Sequence, residues 1–134
     1  MPTDQRVTEE LRDVLDRYAA AWRSGDTEQL VAAYHPDFTL HYFGQNPLAG
    51  VHRGKSAALS VLRDFGLRTE RSLVSIVSVM AGSERGGLLV RERLGREAPV
   101  EVERLFIYRI EGGLLRESWI YDQDQRLIDG LLAS

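Results

Sequence analysis

The chain contains no cysteine. That excludes a disulfide framework, a thiolate metal site and a cysteine nucleophile. It also lacks a basic excess: the formal net charge is −3, which argues against a nucleic-acid surface. Acidic and basic residues are interspersed, so the sequence shows no strong patch of one sign. No apolar run approaches the roughly 20 residues of a membrane-spanning helix, and residues 1–17 are too charged for a secretory signal. The expectation is a cytoplasmic protein that meets neither nucleic acid nor membrane. There is no nucleophile elbow, P-loop or HExxH motif, and the glycines between Gly82 and Gly87 suit a hairpin rather than a phosphate cradle. Linkers, repeats and low-complexity tracts are also missing.

What is present is an ordinary globular composition. Hydrophobic residues make up 43% and charged residues 28% of 134 positions, which suits one domain over residues 1–134. Val7, Leu11, Val14, Leu15, Tyr18 and Trp22 recur at spacings of three and four, and predict one amphipathic helix. Ser24-Gly25 stops it. Asp26, with Gln29 three residues on, caps a shorter helix that runs to about Tyr34, with Pro36 ending it. Phe38 to Phe43 reads as a strand, Gly44 to Gly54 as a loop, and Lys55 to Phe65 as a third helix stopped by Gly66. The period then changes to that of strands: Leu73–Met80, Leu88–Leu94, Val100–Ile110 and Leu114–Asp122, separated by glycine-bearing turns. This order predicts an α+β fold. Three helices from the N-terminal half pack on one curved, mostly antiparallel sheet, forming a cone around an apolar pocket.

Three segments carry a resemblance. The first is Arg17-Tyr18-Ala19-Ala20-Ala21-Trp22-Arg23-Ser24-Gly25-Asp26, followed by Leu30-Val31-Ala32-Ala33-Tyr34 and Pro36-Asp37-Phe38. The second is Asn46-Pro47-Leu48-Ala49-Gly50 with Arg53-Gly54-Lys55. The third is Gly112-Gly113-Leu114-Leu115-Arg116-Glu117-Ser118-Trp119. In order and spacing, over nearly the whole chain, they resemble the NTF2-like superfamily, and within it the SnoaL-like and ketosteroid-isomerase-like proteins. The resemblance speaks to fold more than to function. It implies a helix-on-curved-sheet cone, no cofactor, an apolar small-molecule ligand and a homodimer formed through the sheet.

Ketosteroid isomerase stabilises a developing enolate with a tyrosine and a protonated aspartic acid. By resemblance, Tyr18 takes the place of that tyrosine and Tyr34 that of a supporting one. A third tyrosine of that network corresponds to Leu62, which leaves the network short. The isomerase's general base corresponds to Tyr42 and its second oxyanion donor to Phe106, so both carboxyls are missing. A phenol with a reference pKa of about 10 is a poor base near neutrality, and ketosteroid isomerase activity is not expected.

Strand alternation puts Ser118, Ile120 and Asp122 on one face and Trp119 and Tyr121 on the other. The resemblance makes the first of these the pocket face and Asp122 the candidate replacement base; an exposed aspartate at a strand end is the competing reading. Arg104 shares a face with Val102, Phe106 and Tyr108. Inside a pocket it needs a carboxylate, either Asp122 or an anionic ligand; on the rim it needs none. Arg91 and Arg93 are expected to pair with Glu101 and Glu103 across neighbouring strands. His35 and His41 match no zinc spacing, so no metal site is expected. His41 should face away from Tyr42. His52 sits in the loop before the third helix, where it could close a pocket mouth or simply lie on the surface.

Three functions stay open. One is a cofactor-independent acid–base enzyme of isomerase, cyclase or hydrolase type, acting on an apolar oxygenated metabolite. There Tyr18 and Asp122 are catalytic, and Trp22, Tyr34, Tyr42, His52, Arg104, Phe106, Ser118 and Ile120 hold substrate. The second is a binding module without chemistry. The third is a homodimeric structural module whose cavity is filled core.

Overall fold

The computed structural model describes residues 2–133. Helix α1 spans Pro2–Ser24, and its predicted stripe is its buried face: Leu15 and Ala19 are fully buried, with Leu11 and Tyr18 nearly so. Gly25 ends it in the left-handed region at φ 69°. Its amide reaches the Trp22 carbonyl at 3.2 Å, and that of Asp26 reaches Ala21 at 3.0 Å. This pair of bonds satisfies carbonyls that the helix end leaves open. Asp26 then caps α2 (Thr27–Ala32) by accepting from the Gln29 amide.

Strand β1 runs Tyr34–Tyr42, so the second helix stops before Tyr34 and the strand starts four residues earlier than the sequence suggests. The cause is tertiary: the Leu115 amide donates to the Ala33 carbonyl at 2.9 Å, and Tyr34 pairs with Leu115. Pro36 falls where the register shifts between Tyr34 and Thr39, a place where a strand tolerates a residue without an N–H. The expected loop also holds a short strand, β2 (Gly50–Arg53), antiparallel to β1.

Helix α3 (Lys55–Thr69) passes through Gly66 rather than ending there. Its buried positions Ala58, Val61, Phe65 and Thr69 continue past the glycine, and that packing outweighs the roughly 1 kcal/mol a helical glycine costs. Glu70, at φ 50°, closes the helix instead.

Four strands follow as a meander: β3 (Ser72–Ala81), β4 (Arg85–Leu94), β5 (Val100–Glu111) and β6 (Leu114–Asp122). The β5–β6 turn places Gly112 and Gly113 at φ 58° and 78°, the two-residue geometry that favours glycine. Strand β4 begins at Arg85 and takes in Gly86 and Gly87, where the glycine content predicts a turn. The reason is close approach: a Cβ on Gly86 would run into Leu11 and Leu15 of α1 and the Met80 carbonyl. A last helix, α4 (Gln125–Leu132), was not foreseen. Asp124 caps it through the Leu127 amide, and Ile128 and Leu132 are buried.

The described residues thus form four helices and one six-stranded sheet in the order β2-β1-β6-β5-β4-β3. All neighbours are antiparallel except β1 and β6. The fold is α+β, with helices on a curled, unclosed sheet. Among the described residues no helix is long and apolar enough to cross a membrane.

Candidate functional site

A cavity of about 520 Å³ is walled by α1, α2 and α3 on one side and by β1, β5 and β6 on the other. Its apolar lining includes Trp22, Leu30, Phe38, Leu59, Phe106 and Ile120. Trp22 stands edge-on to Phe106, with ring centroids 5.3 Å apart. The alternation that turns Phe106, Tyr108, Ser118 and Ile120 inward sends Trp119 and Tyr121 outward.

At one end of this cavity lie three phenols. Tyr18 and Tyr34 share a short hydroxyl–hydroxyl hydrogen bond, and Tyr108 packs against Tyr18. Their rings meet edge to face, at 5.6 Å for Tyr18–Tyr34 and 5.7 Å for Tyr18–Tyr108. Burial pushes all three phenols well above their ordinary pKa, so each stays a neutral donor. Tyr108 is the member that sequence comparison missed. Leu62, at the expected third position, lines the cavity without a hydroxyl, and β5 supplies one from the opposite wall. The inward alternation of Arg104, Phe106 and Tyr108 was the signal for it. Ser118, paired with Tyr108 in the sheet, also lines the cavity. It is 2% exposed, and its Oγ has no hydrogen-bond partner.

Asp122 and Arg104 belong to a different construction. Neither lines the cavity. Arg104 Nε donates to Asp122 Oδ1 at 2.5 Å, Nη1 to Glu92 Oε1 at 3.1 Å and Nη2 to the Tyr42 hydroxyl at 3.3 Å. The Arg104 and Asp122 side chains are each 1% exposed and that of Glu92 is fully buried. Asp122 is therefore neither an exposed strand-end residue nor a cavity wall: one oxygen holds Arg104, while Oδ2 is buried without a partner. Burial works against the Arg104 charge, but the carboxylates of Asp122 and Glu92 outweigh it and hold the guanidinium more firmly protonated than usual. Of the two partners expected for a buried Arg104, the protein supplies its own carboxylate. Tyr42 is also displaced from the predicted lining: its ring sits against Phe65 and its hydroxyl accepts from Arg104.

Glu92 went unremarked in the sequence, though alternation puts it on the inward face with Leu88, Val90 and Leu94, and a buried carboxylate there calls for a cation. It has two. Arg71 also grips it, Nε to Oε2 at 2.8 Å and Nη2 to Oε1 at 3.0 Å. Arg71 lies between α3 and β3, where no periodicity marks it. It lines the cavity, with its guanidinium 5.4 Å from the Trp22 ring and 5.3 Å from Phe65.

The histidines lie elsewhere. His52 is on β2, not in a loop; its Nε2 donates to the Leu48 carbonyl at 2.7 Å, and it does not line the cavity. His41 stacks on Trp119 at 5.0 Å and bonds Glu117 at 2.6 Å, on the face opposite the cavity. His35 contacts Glu111 at 3.3 Å. Among the described residues no three histidines or acids cluster in a way that could hold a metal ion. The expected sheet-surface pairs form, with Arg91–Glu103 at 3.5 Å and Arg93–Glu101 at 3.0 Å.

The model of the SnoaL-like domain family matches residues 15–118, and the chain belongs to that family. No curated protein sequence is significantly similar to it. Among solved structures, Bal32a from a soil-derived mobile gene cassette superposes with a TM-score of 0.82 at 20% identity, covering 94% of this chain and 98% of that one. An NTF2-like protein from Burkholderia xenovorans LB400 gives 0.75 at 22% identity, over 93% and 97%. TerC, co-crystallised with polyporic acid, gives 0.76 at 14% identity, over 93% and 99%. At these identities the likeness is one of fold.

Proposed function

We propose that this SnoaL-like domain binds a small, apolar, oxygen-bearing molecule in the cavity, with Tyr18 as the donor that meets the ligand's oxygen. The observation that carries this reading is the placement of hydroxyls in an otherwise apolar chamber. Tyr18 and Tyr34 are hydrogen-bonded there with Tyr108 packed against them, and the buried Ser118 Oγ beside them has no protein partner. A buried hydroxyl without a partner costs free energy, and a ligand oxygen relieves that cost. TerC, which shares the fold, was co-crystallised with polyporic acid, in keeping with a small-molecule ligand.

The second reading, a cofactor-independent acid–base catalyst, rests on the unpartnered Oδ2 of Asp122. It requires that atom to reach a bound substrate, and Asp122 stands outside the cavity wall, tied to Arg104. The geometry favours binding. Proton transfer of the ketosteroid-isomerase kind lacks a carboxylate in the wall.

Calorimetric titration with naphthol tests the binding reading. Tyr18→Phe should weaken binding about tenfold, the equivalent of one good hydrogen bond of about 1.4 kcal/mol, while the variant stays folded at about 25 °C. Unfolding of this variant without an effect on the ligand would make Tyr18 structural. Asp122→Asn, where circular dichroism shows it folded, should leave naphthol affinity unchanged; a loss of turnover on an oxygenated substrate in that folded variant would restore the acid–base reading.

We propose further that two copies pair through the outer sheet face, where Val77 and Tyr121 remain 47% exposed. Sedimentation equilibrium should give twice the mass of the chain, and a monomer at micromolar concentration would contradict the pairing.

A further inference from the structure

The cavity wall is charged in one sense only. Arg63 and Arg71 line it, and no aspartate or glutamate does. Arg71 is partly balanced by Glu92, but Glu92 is shared with Arg104. The buried set Arg71, Arg104, Glu92 and Asp122 sums to zero, which leaves Arg63 uncompensated in the wall. Arg71 Nε and Nη2 each give Glu92 one bond, which leaves both N–H groups of Nη1 and the second of Nη2 not directed at it. Glu92 and the rings of Trp22 and Phe65 fix the guanidinium in place, and a fixed guanidinium is well suited to bind an acid group.

The polar groups also fall at two ends. Tyr108 and Ser118 are paired across the sheet in one row; Phe106 and Ile120 are paired two residues further along. Trp22 covers Phe106, and Arg71 lies over Trp22. Two residues of strand advance roughly 7 Å. Trp22 also meets the Tyr18 ring at 6.2 Å, so the apolar rings of Trp22 and Phe106 lie between the hydroxyl group and the Arg71 guanidinium.

We propose that the cavity is specific for an aromatic molecule that is anionic at one end and carries a hydroxyl or carbonyl oxygen at the other. Arg71 and Arg63 bind the acid group, and Ser118 and the tyrosines bind the distal oxygen. This deepens the binding reading and rests on it.

Calorimetry with para-coumarate, para-coumaramide and cinnamate separates the parts. The first pair differs in charge, and cinnamate lacks the distal hydroxyl. The expected result is that para-coumarate binds about tenfold tighter than either comparator. Its advantage over the amide should shrink severalfold in Arg63→Gln, and again in Arg71→Gln. Arg63 is exposed and makes no ion pair among the described residues, so its variant tests the anion end even if loss of Arg71 disturbs Glu92. Equal affinity for para-coumarate and the amide would overturn the anion end while leaving the binding reading standing. Equal affinity for para-coumarate and cinnamate would overturn the distal-oxygen end. A preference for the acid that persists in both arginine variants would overturn the assignment to these residues. If none of these compounds nor naphthol binds, both the inference and the binding reading fall.

Discussion

Arg104 shows how much one residue can organise. Its guanidinium joins β4, β5 and β6 through Glu92 and Asp122, and reaches β1 through Tyr42. It lies 4.2 Å from the Phe65 ring, so α3 packs on it as well. Replacing one member of such a buried set leaves an uncompensated charge, which costs more than the intact set contributes. Arg104→Leu should therefore destabilise the fold by about 3–5 kcal/mol in urea denaturation. A loss below about 1 kcal/mol would mean that Glu92 and Asp122 find other partners. Part of this was legible in the sequence: an inward arginine needed a carboxylate, and Asp122 was one of two partners considered. Glu92 was equally legible by alternation but passed as one charge among many on β4. Arg71 could not be found, because it sits in a connection with no period to betray it. The same division holds at the hydroxyl end. Tyr18 and Tyr34 followed from the resemblance, whereas alternation marks Tyr108 as inward but does not say that it meets Tyr18.

At the scale of elements, glycine separates what sequence can and cannot show. Gly25 stopped α1 as expected, because the chain there turns into the left-handed region. Gly66 did not stop α3, because the helix's buried face carries on to Thr69. Gly86 marked close packing rather than a turn, and only the position of α1 over β4 reveals that. Gly86→Ala should cost about 1–3 kcal/mol, the range for overpacking, since the methyl group must displace Leu11, Leu15 or the Met80 carbonyl. Thermal denaturation checks this, and an unchanged midpoint would mean α1 can ride outward freely. Helix α4 was overlooked for a simpler reason. Asp124 caps only eight residues, and in so short a stretch Leu127, Ile128, Leu131 and Leu132 hardly establish a period.

For the whole molecule, the parallel pairing of β1 with β6 is the feature that local patterning could not supply. Short turns predicted antiparallel neighbours, and the meander from β3 to β6 obeys. Strand β1 instead joins across most of the chain's length, which brings Tyr34, Phe38 and Leu40 to the cavity beside Ser118 and Ile120. On the other side of the same pairing, His41 and Arg109 both bind Glu117. Burial works against the Glu117 charge, but those bonds outweigh it and hold its carboxyl below the ordinary value of 4.5. A depressed pKa means that this stabilisation is fully present above about pH 4.5 and is lost as the pH falls through the native value. The stability gap between wild type and Glu117→Gln should therefore close as the pH falls below about 4.5. A gap that widened on acidification would contradict this assignment. The central claim concerns the opposite face, where the cavity is a ligand chamber and not unfilled core. A crystal structure of the wild-type protein grown with naphthol tests it most directly. The account predicts a ring between Trp22 and Phe38, with its oxygen within about 3 Å of Tyr18 Oη or Ser118 Oγ. A cavity closed by its own side chains, with Ser118 Oγ bonded to the protein, would contradict it.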